Sequence, residues 1–135
     1  MIHGIGTDLV EVKRIERILS RWGNRFLDKV FAHHEIEYCV KRTSPAIHFA
    51  ARFAAKESFL KSLGIGLGMG VPLTAIEIRN NELGNPMLAI HGKADDLIKG
   101  LGVTAVHVSI AHTRAHAHAV VILEKGSHGA GGKRQ

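Results

Sequence analysis

The spacing of hydrophobic and polar residues alternates between strand-like and helix-like patterns along the chain. Ile2 to Asp8 is typical of a short strand, in which Gly4 and Gly6 mark places where another group must approach the backbone closely. Residues 12–19 then repeat apolar positions at helical spacing. The other predicted elements are short helices at 22–30, 34–42 and 93–99, a long helix from Pro45 to Gly64, and strands at 74–79, 87–91, 104–111 and 117–123. Together they predict an α+β domain with helices packed on a mainly antiparallel sheet.

The length of 135 residues fits one small domain. We expect that domain to span residues 1–125, followed by a flexible tail at 126–135 with low-complexity composition. A chain this short has a thin core and gains stability by burying a face against its own copies. The start of the chain lacks the pattern of a secretory signal, and the lone Cys39 cannot form an internal disulfide, so a cytoplasmic location is expected.

The charge balance is basic, with 18 Lys and Arg against 12 Asp and Glu, a net charge of +6. Such a surface attracts an acidic partner. The possible partners are nucleic acid, anionic lipid, a polyphosphate ligand and an acidic protein, and charge alone does not choose among them. A non-enzymatic nucleic-acid-binding domain is therefore one alternative. Aromatic residues make up only 5% of the chain and the cations are scattered, which disfavours it.

The long helix carries charges where a buried helix should have none. On a helical wheel one side holds bulky apolar residues and the opposite side holds small ones, so both sides are expected to be buried. Arg52, Lys56, Glu57 and Lys61 lie within this pattern. Each could be explained alone, with Lys56 reaching solvent, Arg52 solvated and Glu57 paired with Lys61. Four charges together favour an anionic ligand among the cations and a metal ion at Glu57.

Asp8 is the natural second carboxylate, because it follows the glycine-bearing strand just before a helix. It is either the N-cap of that helix or a metal ligand together with Glu57. Two carboxylates, with oxygens from a diphosphate and water, suit magnesium. The spacing alone predicts no more than a magnesium–polyphosphate site, and a magnesium-dependent phosphohydrolase is a second alternative.

Four segments carry a resemblance to a known family. They are 5–11 (IGTDLVE), 52–58 (RFAAKES), 84–86 (GNP) and 108–112 (VSIAH), and their order and intervals are specific together. The chain resembles the holo-acyl-carrier-protein synthases, the short bacterial phosphopantetheinyl transferases, over all but its tail. The resemblance implies transfer of 4′-phosphopantetheine from coenzyme A to a serine of apo-acyl carrier protein, for fatty acid biosynthesis, with 3′,5′-ADP as the leaving group.

The resemblance also implies roles for individual residues. Magnesium would be held by Asp8 and Glu57, and Glu57 and Lys61 would serve catalysis. The serine proton would pass either to Glu57 or to a water on the metal. The residues implied to bind coenzyme A are Arg52, Lys56, Lys61, Gly84, Pro86, His107, Ser109 and His112.

The remaining implications concern partners. The family usually forms trimers with sites between subunits, so Asp8 and His107 are expected to serve one site from different chains. The basic first helix, and Arg14 in particular, is expected to dock the acidic carrier protein. The glycine-rich run 64–70 lacks the lysine of a phosphate-binding loop, and we expect it to be a flexible connection that closes over pantetheine.

Overall fold

The computed structural model describes residues 1–64 and 70–126. The helices in this part are α1 (Val12–Trp22), α2 (Asn24–Val30), α3 (His33–Val40), α4 (Pro45–Ser62) and α5 (Gly92–Gly100), with a short 3₁₀ turn at Leu73–Ala75. The strands are β1 (Ile2–Glu11), β2 (Ile76–Asn80), β3 (Pro86–Ile90), β4 (Val103–His112) and β5 (His116–Lys125). The predictions for the glycine run and the tail fall largely on residues 65–69 and 127–135, outside the described part. Among the described helices, none combines the length and apolarity needed to cross a bilayer.

The strands form two antiparallel sheets. The first has the order β1-β5-β4, so β1 and β4 are its edges, and the second is the β2-β3 hairpin. Helix α4 covers one face of the first sheet, where β5 contributes alternate buried residues such as Val121 and Leu123. This arrangement confirms the predicted α+β class with a mainly antiparallel sheet.

Two glycines of β1 allow α4 to lie directly against the strand. A Cβ atom built at Gly6 would fall 1.9 Å from the carbonyl oxygen of Ser58, and one at Gly4 would fall 2.0 Å from that of Ser62. These contacts are with helix backbone, which has no side-chain freedom to move aside. The small residues on this side of α4 therefore match the glycines of β1, and α4 is the group whose close approach those glycines predicted.

We expect Gly6→Ala to destabilise the fold, by roughly 2–4 kcal/mol, because the helix must move away from the sheet. Gly100→Ala is the matched control, since a Cβ at Gly100 meets nothing within 4 Å. Chemical denaturation of both variants measures the difference. Equal stabilities for the two variants would contradict the close packing of β1 on α4.

Strand β1 is longer than the sequence predicted, and this changes the position of Asp8. The strand continues to Glu11, which occupies the N-cap position of α1. Asp8 lies inside the strand, opposite Ala119 of β5. The alternative that Asp8 caps the helix is therefore wrong, because three further residues pair with β5 before the helix begins.

Candidate active site

A first cluster forms where α4 passes over β1. Asp8 lies on the same face of the strand as Gly4 and Gly6, because alternate strand residues share a face, and this face meets α4. Lys61 of α4 donates hydrogen bonds to the Asp8 carboxylate, Nζ to Oδ1 at 3.0 Å, and to the Thr7 carbonyl at 3.1 Å. The alternative pairing of Lys61 with Glu57 is not observed, because the Lys61 ammonium points to the strand.

Glu57 has an unusual environment in this cluster. Its Oε2 atom is buried and has no hydrogen-bond partner among the described residues. Burial raises the pKa of the Glu57 carboxyl, and the nearby Asp8 charge raises it further, while Lys61 and Arg14 oppose this shift. A buried, unpartnered carboxylate oxygen beside a second carboxylate is costly unless a cation is bound.

This donor set fits a magnesium ion that is completed by a ligand. Asp8 and Glu57 supply carboxylate oxygens, and Mg²⁺ often binds one or two carboxylates together with substrate phosphates and water. Within residues 1–64 and 70–126, no group of three or more His, Cys, Asp or Glu side chains is placed to hold a metal by itself. The protein side of the site is thus two carboxylates, with the unpartnered Oε2 available to a cation.

A second cluster lies on another side of α4, around Arg52. The helical rotation from Arg52 to Glu57 is about 140°, so the two side chains diverge. Four of the residues predicted to bind coenzyme A share one cavity of about 200 Å³ here: Arg52, Gly84, Pro86 and His112. This cavity lies toward the β4 edge of the sheet, whereas Asp8 lies on the β1 edge, two strand spacings or about 10 Å away. The structure thus divides the predicted residues into two groups.

Lys56 belongs to neither group, which disagrees with the prediction that it contacts a phosphate of coenzyme A. Its side chain is 0% exposed, and its ammonium donates to Glu35 Oε1 at 2.8 Å and to the carbonyls of Leu73 and Ile76 at 2.9 and 2.6 Å. Three acceptors use all three of its N–H groups. Lys56 therefore stabilises the core and has no donor left for a ligand.

Glu35 is the residue that sequence reasoning missed. It is fully buried, and its carboxylate also accepts hydrogen bonds from the backbone N–H groups of Ala32 and Ile78. In the sequence it stands among other polar residues of α3 and resembles a solvated position. The one available signal was Lys56 itself, because a lysine in an apolar helical sector requires a buried carboxylate partner.

His107 and Ser109 lie on the opposite face of the sheet from α4. Residues 106, 108 and 110 of β4 face the core, so alternation sends His107 and Ser109 outward. Ile5 and Leu9 of β1 are on the same outer face and are 58% and 65% exposed. Within one chain, these two predicted ligands therefore face away from Glu57 and Arg52.

The remaining predicted residue, Arg14, is exposed on α1. Burial raises the pKa of the Glu57 carboxyl, and the charge of Arg14 opposes that rise. The cationic residues of α1 and α2 are all exposed, and we refer to them together as the basic surface: Lys13, Arg14, Arg17, Arg21, Arg25 and Lys29. This basic surface is continuous with Trp22, whose ring lies 5.3 Å from the Arg21 guanidinium and 5.7 Å from that of Arg25.

The chain is similar to proteins of one known family over most of its length. Residues 4–121 match the family model described as the 4′-phosphopantetheinyl transferase superfamily. The chain is 60% identical over 124 residues to a holo-[acyl-carrier-protein] synthase of Syntrophus aciditrophicus, covering 92% of this chain and 97% of that protein.

Solved structures agree with this similarity. A holo-[acyl-carrier-protein] synthase from Neisseria meningitidis superposes with a TM-score of 0.86 at 32% identity, covering 93% of this chain and 100% of that one. A second synthase, from Bacillus anthracis and in complex with CoA (3′,5′-ADP), superposes with a TM-score of 0.77 at 33% identity. The match covers 93% of this chain and 99% of that one. The likeness extends over all the elements that carry the two clusters.

Proposed function

The chain belongs to the 4′-phosphopantetheinyl transferase superfamily, and we propose that it transfers 4′-phosphopantetheine from coenzyme A to a serine of apo-acyl carrier protein. The products are the holo-carrier protein and 3′,5′-ADP. The observation that carries this function is the similarity, over nearly the whole chain, to a holo-[acyl-carrier-protein] synthase. The basic charge is consistent with both substrates, because coenzyme A is polyanionic and the carrier is acidic. We also propose that the reaction serves fatty acid biosynthesis in the cytoplasm.

The transfer is a substitution at phosphorus. The carrier serine oxygen forms a bond to the phosphorus that bears pantetheine, the bond from that phosphorus to the bridging oxygen breaks, and 3′,5′-ADP leaves with that oxygen. Such reactions depend on positioning and on neutralising charge on the phosphoryl oxygens. The residues proposed to serve catalysis are Lys61, which is exposed enough to reach a ligand, and Glu57. The serine proton would pass either to the Glu57 carboxylate or to a water on the metal.

We propose Mg²⁺ as the cofactor, held by Asp8 and Glu57. When bound, it would supply positive charge to the diphosphate oxygens of coenzyme A. The support is the unpartnered Oε2 of Glu57 beside the Asp8 carboxylate. Lys61 holds the Asp8 carboxylate in place from the side of α4.

The coenzyme A site is proposed to lie between copies of this chain in a homotrimer. Two parts of the proposed site lie on different sides of α4: the cluster of Asp8, Glu57 and Lys61, and the cavity at Arg52. This separation supports a binding mode in which one coenzyme A molecule contacts two copies of the chain. The apolar outer face around Ile5 and Leu9 supplies the contact surface. Contact through this face would bring His107 and Ser109 of one copy toward the site of its neighbour.

Mixing two inactive variants tests the shared site. Asp8→Asn breaks the first cluster and Arg52→Gln breaks the second, and each alone is expected to be nearly inactive. Co-expressed in equal amounts, the two chains should regain about a quarter of wild-type turnover, because one site in four then combines two intact halves. Turnover no greater than that of the single variants, or a monomer in analytical ultracentrifugation, would contradict the proposal.

The basic surface of α1 and α2 is proposed as the docking site for the carrier protein. Arg14 is central to this proposal, because it is exposed and its charge reaches the Glu57 carboxyl. Docking there would bring the carrier serine near the first cluster. Complementary charge chiefly speeds association and selects partners, so this surface should act on the KM for the carrier protein.

The function itself is tested by mass spectrometry of an apo-carrier protein incubated with the chain, coenzyme A and Mg²⁺. A gain of about 340 Da, the mass of phosphopantetheine, is expected on one serine. A parallel reaction without carrier protein should release no 3′,5′-ADP, because the acceptor is absent. Release of product in that reaction, without modification of the carrier when it is present, would identify a phosphohydrolase instead.

A further inference from the structure

Thr7 and Ser58 bind the same backbone carbonyl from opposite sides of the sheet. The hydroxyl of Thr7 donates to the Ala119 carbonyl oxygen at 3.1 Å, and the hydroxyl of Ser58 donates to that oxygen at 3.1 Å. Thr7 lies on the outer face of β1 with Ile5 and Leu9, because alternate strand residues share a face. Ser58 belongs to α4, which covers the inner face. One oxygen atom of β5 therefore connects the edge strand to the helix.

These two hydroxyl residues adjoin the two proposed metal ligands. Thr7 directly precedes Asp8 in β1, and Ser58 directly follows Glu57 in α4. Ala119, which accepts both hydrogen bonds, is also the residue of β5 that pairs with Asp8. The two hydrogen bonds thus limit how far the backbone that carries Asp8 can move relative to the backbone that carries Glu57.

His118 completes the hydrogen bonding of Thr7. Its Nε2 atom lies 2.7 Å from Thr7 Oγ1. The hydroxyl has one proton, which it donates to Ala119, so the imidazole must donate from Nε2. Both roles of the hydroxyl are then filled, which keeps the Thr7 side chain in one orientation. Thr7 lies between Ile5 and Leu9 on the face proposed to contact a neighbouring copy, and that contact would shield these hydrogen bonds from water.

The contact with Ser58 is the buried restraint on this strand. Strand β1 is an edge of its sheet, with β5 as its neighbour. Lys61 also binds β1, at the Thr7 carbonyl and the Asp8 carboxylate, but its side chain is 55% exposed. Exposed ion pairs contribute little to holding two elements together. Ser58 is 0% exposed, and a hydrogen bond in such surroundings is electrostatically stronger than one in water.

We propose that Thr7 and Ser58 are positioning residues, which set the separation of the Asp8 and Glu57 carboxylates through their shared contact with Ala119. This inference rests on the proposed function, because it concerns the proposed Mg²⁺ ligands of that reaction. Mg²⁺ requires near-ideal octahedral geometry, so a carboxylate that shifts binds it less well. Residues that orient metal ligands from behind affect metal affinity for this reason. Neither hydroxyl acts on the substrate in this role.

Metal affinity tests this role without turnover. Mn²⁺ suits the same carboxylate and water ligands. It is titrated into the enzyme with coenzyme A and without carrier protein, and the free ion is counted by electron paramagnetic resonance. We expect Thr7→Val and Ser58→Ala each to raise the Kd for Mn²⁺ by about five- to tenfold. Thr7→Ser, which keeps the hydroxyl, should stay within about twofold of wild type.

The matched control for Ser58→Ala is Ser62→Ala. Ser62 is a second buried serine of α4, and its hydroxyl donates to the Phe59 carbonyl of the same helix at 2.6 Å. Its loss should leave the Kd for Mn²⁺ within about twofold of wild type, because no ligand-bearing strand loses a contact. A double variant, Thr7→Val with Ser58→Ala, tests the shared oxygen. Either loss alone frees the separation of the carboxylates, so the double effect should stay close to the larger single effect instead of the product of both.

The outcomes separate the positioning role from the function. A Kd for Mn²⁺ within about twofold of wild type in Thr7→Val and Ser58→Ala, or an equal rise in Ser62→Ala, would overturn the positioning role. The transferase function would stand, because wild type would still modify the carrier protein. Thr7→Val changes an exposed residue, so its result is decisive even if Ser58→Ala is too unstable to measure. Absence of carrier modification by wild type would instead overturn the proposed function.

Discussion

Replacing Glu57 by Gln is expected to lower kcat for phosphopantetheine transfer by roughly a thousandfold, and Asp8→Asn should have a similar effect. Both substitutions keep the shape of the side chain and remove the negative charge that would hold Mg²⁺. The loss should persist at saturating coenzyme A and carrier protein, because it concerns the reacting phosphoryl group. Initial rates of carrier-protein modification, followed by mass spectrometry over a range of Mg²⁺ concentrations, measure both the loss in kcat and any weaker dependence of the rate on Mg²⁺.

The same Glu57 variant should be at least as stable as wild type when metal is absent. The wild-type carboxylate is partly buried, with Oε2 unpartnered, and burial raises its pKa, so its charged form is held at a cost to folding. Gln removes that charge, and the melting temperature should stay equal or rise. Asp96→Asn, on the exposed side of α5, is the control and should change neither rate nor stability. Normal turnover in both site variants would refute the metal assignment.

The sequence was sufficient to predict the elements because their signals are local. The proline at the first position of α4, the strand alternation of β2 and β3 and the turn between them each depend on neighbouring residues. The glycines of β1 and the small residues of α4 each predicted a close backbone approach, but the sequence did not show that these two segments approach each other. Asp8 and Glu57 could be paired from the sequence because the resemblance supplied the contact between distant segments.

The buried partners of the charged helix could not be predicted in this way. Lys56 signalled a missing carboxylate, but nothing local marks Glu35 as that partner, because their contact depends on how α3 packs against α4. A helical wheel shows that Arg52 and Glu57 lie on different sides of α4. It does not show which edge of the sheet lies near each side, because that depends on the order of the strands. Strand order is a long-range property that periodicity does not contain.

Lys56→Met is expected to destabilise the fold by about 3–5 kcal/mol, because it leaves the Glu35 carboxylate buried without its cation. The substitution also removes donors from the carbonyls of Leu73 and Ile76. The ion pair is costly in itself, since burial lowers the pKa of Lys56 even though Glu35 opposes that shift. Removing one partner is therefore worse than removing both charges. Urea denaturation of wild type and variant gives the loss directly.

Two further variants separate a core role from a ligand role for this lysine. Lys56→Met combined with Glu35→Gln should recover part of the lost stability, because the remaining amide still accepts a backbone hydrogen bond and the carboxylate that lost its lysine is no longer present. Lys61→Met, at an exposed lysine, should change stability by less than about 1 kcal/mol and yet reduce transfer strongly. An enclosed ammonium with three protein acceptors cannot be removed without cost to the core. If Lys56→Met folded as stably as wild type and lost only affinity for coenzyme A, the wild-type Lys56 ammonium would therefore be a phosphate ligand.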